Sequence, residues 1–199
     1  SPIYKKYIDG VIYKDIEFDK LKKLSDKNVL NGLIFPDKMI SLEKLEKYNF
    51  DFAILHDLNI SSEFLLSEKI ASGFYIDSNL DDSTYETINN IPFSFVVIDL
   101  INKPKYETLS GIFDLTKIIS NIDNNIILKL HYIPNEKTLE LLYLLGVVGI
   151  IIDSEAYSED KFKMLDKYLK DLKGDLKKKS IVYPNISNNM DFIPYDDEE

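Results

Sequence analysis

Reactive side chains in this sequence gather just past short apolar runs. Phe35 leads to Pro36-Asp37, Leu55 to His56-Asp57, Ile76 to Asp77, Ile98 to Asp99 and Ile152 to Asp153. If those runs are parallel strands, the acidic side chains collect at the carboxyl end of one sheet, where such folds keep their sites. Several carboxylates around one opening supply oxygen ligands for a divalent cation. They also divide into general acid and general base wherever their surroundings push the pKa values apart. A local explanation competes, because Asp and Asn favour strand-to-helix loops as caps of the next helix.

The most informative stretch is Ile126-Ile127-Leu128-Lys129-Leu130-His131. A period of two places Ile127, Lys129 and His131 on one face of a strand. A lysine turned into a barrel interior must find a carboxylate or give up its charge. Once desolvated it can serve as a Schiff-base nucleophile, and a neighbouring histidine can move protons. The alternative orientation puts Lys129 and His131 outward, on an edge or under a long loop. If the chain is an enzyme, the candidate catalytic residues are Lys129, His131, Asp99 and Asp77. The two histidines, His56 and His131, both follow apolar runs, but no metal-ligand spacing accompanies them. Metal and cofactor therefore stay unassigned.

The elements that would position these groups follow from hydrophobic period. Eight apolar runs stand out: Val11 to Tyr13, Gly32 to Phe35, Phe52 to Leu55, Gly73 to Ile76, Phe95 to Ile98, Ile126 to Leu130, Val147 to Ile152 and Ser180 to Tyr183. Between them lie stripes at helical spacing. Phe18, Leu21 and Leu24 form one, Leu42, Leu45 and Tyr48 another. Ile112, Leu115, Ile118 and Ile119 form a third, and Leu139, Leu142 and Leu145 a fourth. Ser83 and Glu86 have capping-box spacing. After Ser158 the stripe is Phe162, Leu165, Leu169 and Leu172, with Gly174 placed to end the helix. This alternation predicts an α/β fold of parallel βα units. A compact (β/α)8 TIM-barrel-like single domain, regular or incomplete, is preferred over an open doubly wound sheet, because the seven glycines form no G-x-G-x-x-G. The expected division is one domain over residues 1–185 and an acidic tail over 186–199.

Composition narrows the function classes. The chain has 199 residues and a formal net charge of −10, and all 24 of its basic residues are lysines. Without arginine's planar fork an acidic chain is a poor independent binder of nucleic acid. Cysteine is absent, which excludes disulfides and thiolate-ligated metals. No apolar stretch is long enough for a membrane span, and no export signal is visible, so the expected location is cytoplasmic. No P-loop, G-x-S-x-G elbow, H-E-x-x-H pair or EF-hand loop occurs.

Two family likenesses bear on function. Tyr75-Ile76-Asp77-Ser78-Asn79, a following helix, the run Phe95 to Ile98, and Gly111-Ile112-Phe113-Asp114 heading the helix into Ile126 to Leu130 resemble the barrel-shaped protein subunit of archaeal ribonuclease P. That subunit is the relative of the thirty-kilodalton human one. The resemblance implies a non-catalytic barrel that pairs with a small protein subunit and supports a catalytic RNA in tRNA processing, with indirect RNA contact at most. The segment from Ile126 to His131 with the helix at Glu136 is similar to the catalytic-histidine strand of type I dehydroquinate dehydratases. This second likeness implies a proton-transfer role for His131. That family's next strand carries a Schiff-base lysine, where this chain has Ile150-Ile151-Ile152. The sequence thus leads first to a ribonuclease P-like assembly component. The alternatives are a small-molecule barrel lyase or hydrolase built on Lys129, His131 and the strand-end carboxylates, or a degenerate barrel that has lost its chemistry.

Overall fold

A computed structural model describes residues 7–14, 18, 29–35, 41–56, 59–76, 80–99, 106–153 and 157–178, with side chains as far as 172. Its strands are β1 (Gly10–Tyr13), β2 (Leu30–Ile34), β3 (Phe52–Leu55), β4 (Ala71–Ile76), β5 (Phe95–Asp99), β6 (Asn125–Leu130) and β7 (Val147–Ile152). Between them run helices α1 (Leu42–Lys47), α2 (Asp82–Asn90), α3 (Leu109–Ile119) and α4 (Glu136–Leu144). Helix α5 (Glu159–Lys178) follows β7, and a 3-10 turn (Ser62–Leu66) joins β3 to β4. All seven strands are parallel and stand side by side in chain order.

Chain-order pairing with crossovers of one hand puts every helix on the same side of the sheet. The other face must then cover itself. One apolar cluster shows that it does so by curling. Ile12, Ile34, Phe52, Ile54, Ala71, Tyr75, Phe95, Val97, Ile127 and Ile151 pack together, at least one from each strand and none from a helix. The opposite face meets the helices in two clusters. Leu33, Ala53 and Leu55 pack with Leu45 of α1 and Phe64 of the 3-10 turn. Ile76, Val96, Ile98, Ile126, Leu128 and Leu130 pack with Tyr85, Ile88, Leu115, Ile118 and Leu142 of α2 to α4. The fold is the expected α/β TIM-barrel-like one, with seven strands among the described residues. The eighth run (Ser180 to Tyr183), residues 186–199 and the stripe from Phe18 to Leu24 (Phe18 excepted) lie outside the described residues.

Two glycines set the width of the interior. A Cβ on Gly32 would fall 2.0 Å from the Phe52 ring, and one on Gly73 would fall 2.1 Å from the Phe95 ring. The two rings meet edge to face, with centroids 5.8 Å apart, and fill the amino-terminal part of the curl. Gly73→Ala should therefore lower stability by about 1–3 kcal/mol through overpacking. Phe95→Leu in the same chain should recover part of that loss, as read from urea midpoints. Unchanged stability in Gly73→Ala would show that the rings have room to move.

Two boundary expectations need correction. Helix α2 is capped by Asp81, whose carboxylate accepts from the Thr84 N–H at 2.8 Å, and not by Ser83. The helix starts two residues earlier than the Ser83–Glu86 spacing suggests, and Asp81 is the better placed oxygen. Helix α5 continues through Gly174 to Lys178. A glycine costs a helix interior only about 1 kcal/mol, too little to stop twenty amphipathic residues.

Candidate active site

Strand parity delivers three side chains to one spot at the carboxyl end of the sheet. On β5, Phe95 and Val97 face the interior, so Asp99 does too, and it is completely buried. Lys129 stands opposite Asp99 in the parallel register of β5 and β6. His131 lies just beyond β6, on the same parity. On β4 the inward positions are Ala71, Gly73 and Tyr75, and the long tyrosine side chain reaches up to the level of Asp99.

The Asp99 carboxylate is the hub. Lys129 Nζ donates to Oδ2 at 2.7 Å, and the Tyr75 hydroxyl donates to the same oxygen. His131 Nε2 lies 2.7 Å from Oδ1. Lys129 Nζ also donates to the Tyr75 hydroxyl at 3.2 Å and sits 5.7 Å from the tyrosine ring centroid. Exposure rises outward: the Asp99 side chain is 0% exposed, Lys129 28% and His131 46%. The carboxylate is the buried foundation and the histidine stands at the mouth.

These contacts decide protonation. Burial pushes the Asp99 carboxyl up, but hydrogen bonds from His131, Lys129 and Tyr75 together outweigh it and hold the group below the usual carboxylate value. Burial likewise pushes Lys129 down, and its bonds to Asp99 and Tyr75 overcome that and raise it. Tyr75 is pushed up to about 12, first by burial and then by its bond to Asp99. At neutral pH the site holds a carboxylate, an ammonium and a neutral phenol. With Asp99 ionised, the histidine donates from Nε2.

Two hydrogen bonds tie together described residues beyond β5, β6 and β7. The Tyr106 N–H donates to the Tyr132 hydroxyl at 2.8 Å, and Tyr157 donates to the His131 carbonyl at 2.9 Å. Burial raises Tyr132 to about 12 and also raises Tyr106. Both phenols are packing groups that remain neutral.

Of the residues expected to do chemistry, the structure brings Asp99, Lys129 and His131 together. His56 and Asp153 are exposed at the ends of β3 and β7, while Asp37, Asp57 and Asp77 lie outside the described residues. Helix capping does not explain Asp99. The observed caps are Ser41, Asp81, Thr108 and Asn135, each well downstream of its strand. Among the described residues no three His, Asp or Glu groups converge to hold a metal ion. Tyr75 was not foreseen as a member of the site. Its only sequence signal is that it shares strand parity with Ala71 and Gly73. An open cleft of about 400 Å³, lined by Asp82, Glu86, Asn89, Asn121 and Asp123 among others, shares no residue with the Asp99 cluster. Among the described residues no helix is long and apolar enough to cross a membrane.

No protein-family model matches the chain, and no curated protein matches it. Solved structures do resemble it. Phosphoribosyl anthranilate isomerase from Thermus thermophilus superposes with a TM-score of 0.59 at 13% identity, over 86% of this chain and 92% of that one. Thiamine phosphate pyrophosphorylase from Pyrococcus furiosus gives 0.59 at 12% identity, over 88% and 90%. A chain of the tryptophan synthase complex from Pyrococcus furiosus gives 0.56 at 14%, over 87% and 89%. These similarities overturn the ribonuclease P reading, because the proteins sharing the architecture are small-molecule enzymes. The residues that carried that resemblance also have other duties. Tyr75 turns inward to Asp99, and Gly111 is a buried first-turn residue whose N–H donates to the Thr108 hydroxyl. The likeness was one of βα architecture, and at these identities what the chain shares with its structural neighbours is the fold.

Proposed function

We propose that the chain is a small-molecule barrel enzyme, of lyase or hydrolase type, in which His131 transfers a proton beside the Lys129 ammonium. The observation that carries this reading is the fully buried Asp99 with donors from Lys129, His131 and Tyr75 on it. A buried ion pair is weak support for a fold, since apolar residues of similar volume serve stability as well or better. Energetics alone therefore does not explain the cluster, and a degenerate barrel would have no use for it. Proton transfer does have a use, because an ionised carboxylate orients the imidazole and stabilises its protonated form. Lys129, held as an ammonium, fits charge stabilisation better than Schiff-base chemistry, which needs the neutral amine.

The wider architecture agrees, since barrels of this kind keep their sites at the carboxyl end of the strands. A thermal-shift panel of small metabolites tests the reading. At about a hundredfold excess over Kd, a true ligand should raise Tm by roughly 5 °C or more. Lys129→Met should abolish that rise. A panel that stabilises neither protein would count against an enzyme. If a protein partner exists, we infer that it meets α3, where Leu109 and Phe113 are 75% and 64% exposed one turn apart.

A further inference from the structure

Two atoms of the Asp99 site are left available, and together they define a chemistry. Lys129 Nζ has three N–H donors, of which Asp99 and Tyr75 take two. His131 gives its Nε2 proton to Asp99, so a neutral ring keeps its lone pair on Nδ1. The side chain is about half exposed, which puts that base at the mouth of the curl. A base and a cationic donor are thus anchored on the two oxygens of one carboxylate. The same carboxylate fixes both in place, as preorganised catalysis requires.

The charge balance selects the substrate. Among the described residues Asp99 and Lys129 cancel, and one spare ammonium N–H remains. A phosphate or other polyanion calls for several converging donors, and the chain has no arginine to supply a fork. A carbonyl oxygen needs one strong donor, most of all as it gains negative charge in a site with little water. Resting on the reading above, we propose that this site takes small carbonyl compounds and enolises them, with His131 as the base and Lys129 as the enolate's partner.

In that step Nδ1 of His131 takes a proton from the carbon next to the carbonyl. The C–H electron pair becomes the new C=C bond, and the carbonyl π pair moves onto oxygen, which accepts the spare Lys129 N–H. The imidazolium, stabilised by Asp99, then returns the proton to carbon or passes it to oxygen. Atoms and electrons balance without an oxidant or second reactant. The depressed Asp99 and raised Lys129 agree with this assignment of charges.

The test follows deuterium. The whole chain is incubated in D2O with pyruvate, dihydroxyacetone and acetone as probes, and with lactate and glycerol as their non-carbonyl counterparts. Proton NMR reads loss of the signal next to the carbonyl, and saturation transfer reads binding in the same samples. At least one carbonyl probe should exchange, and His131→Gln should slow that exchange about 100-fold or more. Lys129→Met should slow it to a similar degree. If that variant fails to fold, His131→Gln carries the test alone, because its side chain is half exposed. Binding of carbonyl probes without exchange, or exchange indifferent to His131→Gln, overturns the enolisation and leaves the enzyme reading intact. Stabilisation by other metabolites with no carbonyl probe bound overturns the substrate class. No binding by any compound overturns both.

Discussion

Lys129→Met should destabilise the protein more than Asp99→Asn, although the two residues form one ion pair. The asymmetry follows from burial. Removing Lys129 leaves the Asp99 carboxylate, 0% exposed, with its charge uncompensated, and breaking a buried pair in that way costs about 3–5 kcal/mol. Removing the charge of Asp99 leaves a lysine that is 28% exposed, whose ammonium can turn toward water. That change should cost about 1–2 kcal/mol, much of it lost hydrogen bonding. The double variant should be more stable than the sum of the single losses implies, since neither stranded charge remains. Urea midpoints for the four proteins decide the matter. Equal losses in the single variants would mean that Asp99 is better solvated than its burial indicates.

Much of this site was legible in the sequence because strand geometry is simple. Ile127, Lys129 and His131 share a face by parity alone, and the end of an apolar run marks the mouth of a parallel barrel. The undecided point was whether that face looks in or out. Both faces of these strands are apolar, one against helices and one against other strands, so no alternation of polarity distinguishes them. The decisive fact is the β5–β6 register, which sets Asp99 against Lys129. Pairing between residues thirty positions apart in the chain leaves no local trace. Tyr75 was missed for a related reason. Its neighbour in register is Val97, and only the length of its side chain brings the hydroxyl to Asp99. A tyrosine in an apolar strand reads as packing. The Asp-as-cap explanation also failed at Asp99, because α3 begins well downstream and takes its cap from Thr108. The ribonuclease P likeness went astray where motif residues coincided with general needs of the βα unit.

Tyr75→Phe gives the second test of the hub, and its signature lies in how the loss changes with pH. At neutral pH the variant loses a hydrogen bond to a charged carboxylate, worth about 1.5–3 kcal/mol. The ring stays, so packing in the interior is preserved. The wild-type phenol titrates at about 12 in the folded protein and near 10 when unfolded. A folded pKa above the unfolded one means that its contribution is complete below pH 10 and is lost as pH rises toward 12. The variant has no phenol at this position to lose. Its stability gap from wild type should therefore hold steady from pH 7 to 9.5 and narrow through pH 10–12. Lys129, also raised, declines over the alkaline range in both proteins, provided its bond to Asp99 survives the substitution. Wild type should also weaken at the acid end. The depressed Asp99 contributes stability above the usual carboxylate pKa, and that contribution disappears as pH drops through its lowered value. Denaturant titrations across both ranges would show the pattern. A gap that stays constant up to pH 12 would place the Tyr75 hydroxyl in contact with solvent and remove it from the group that holds Asp99.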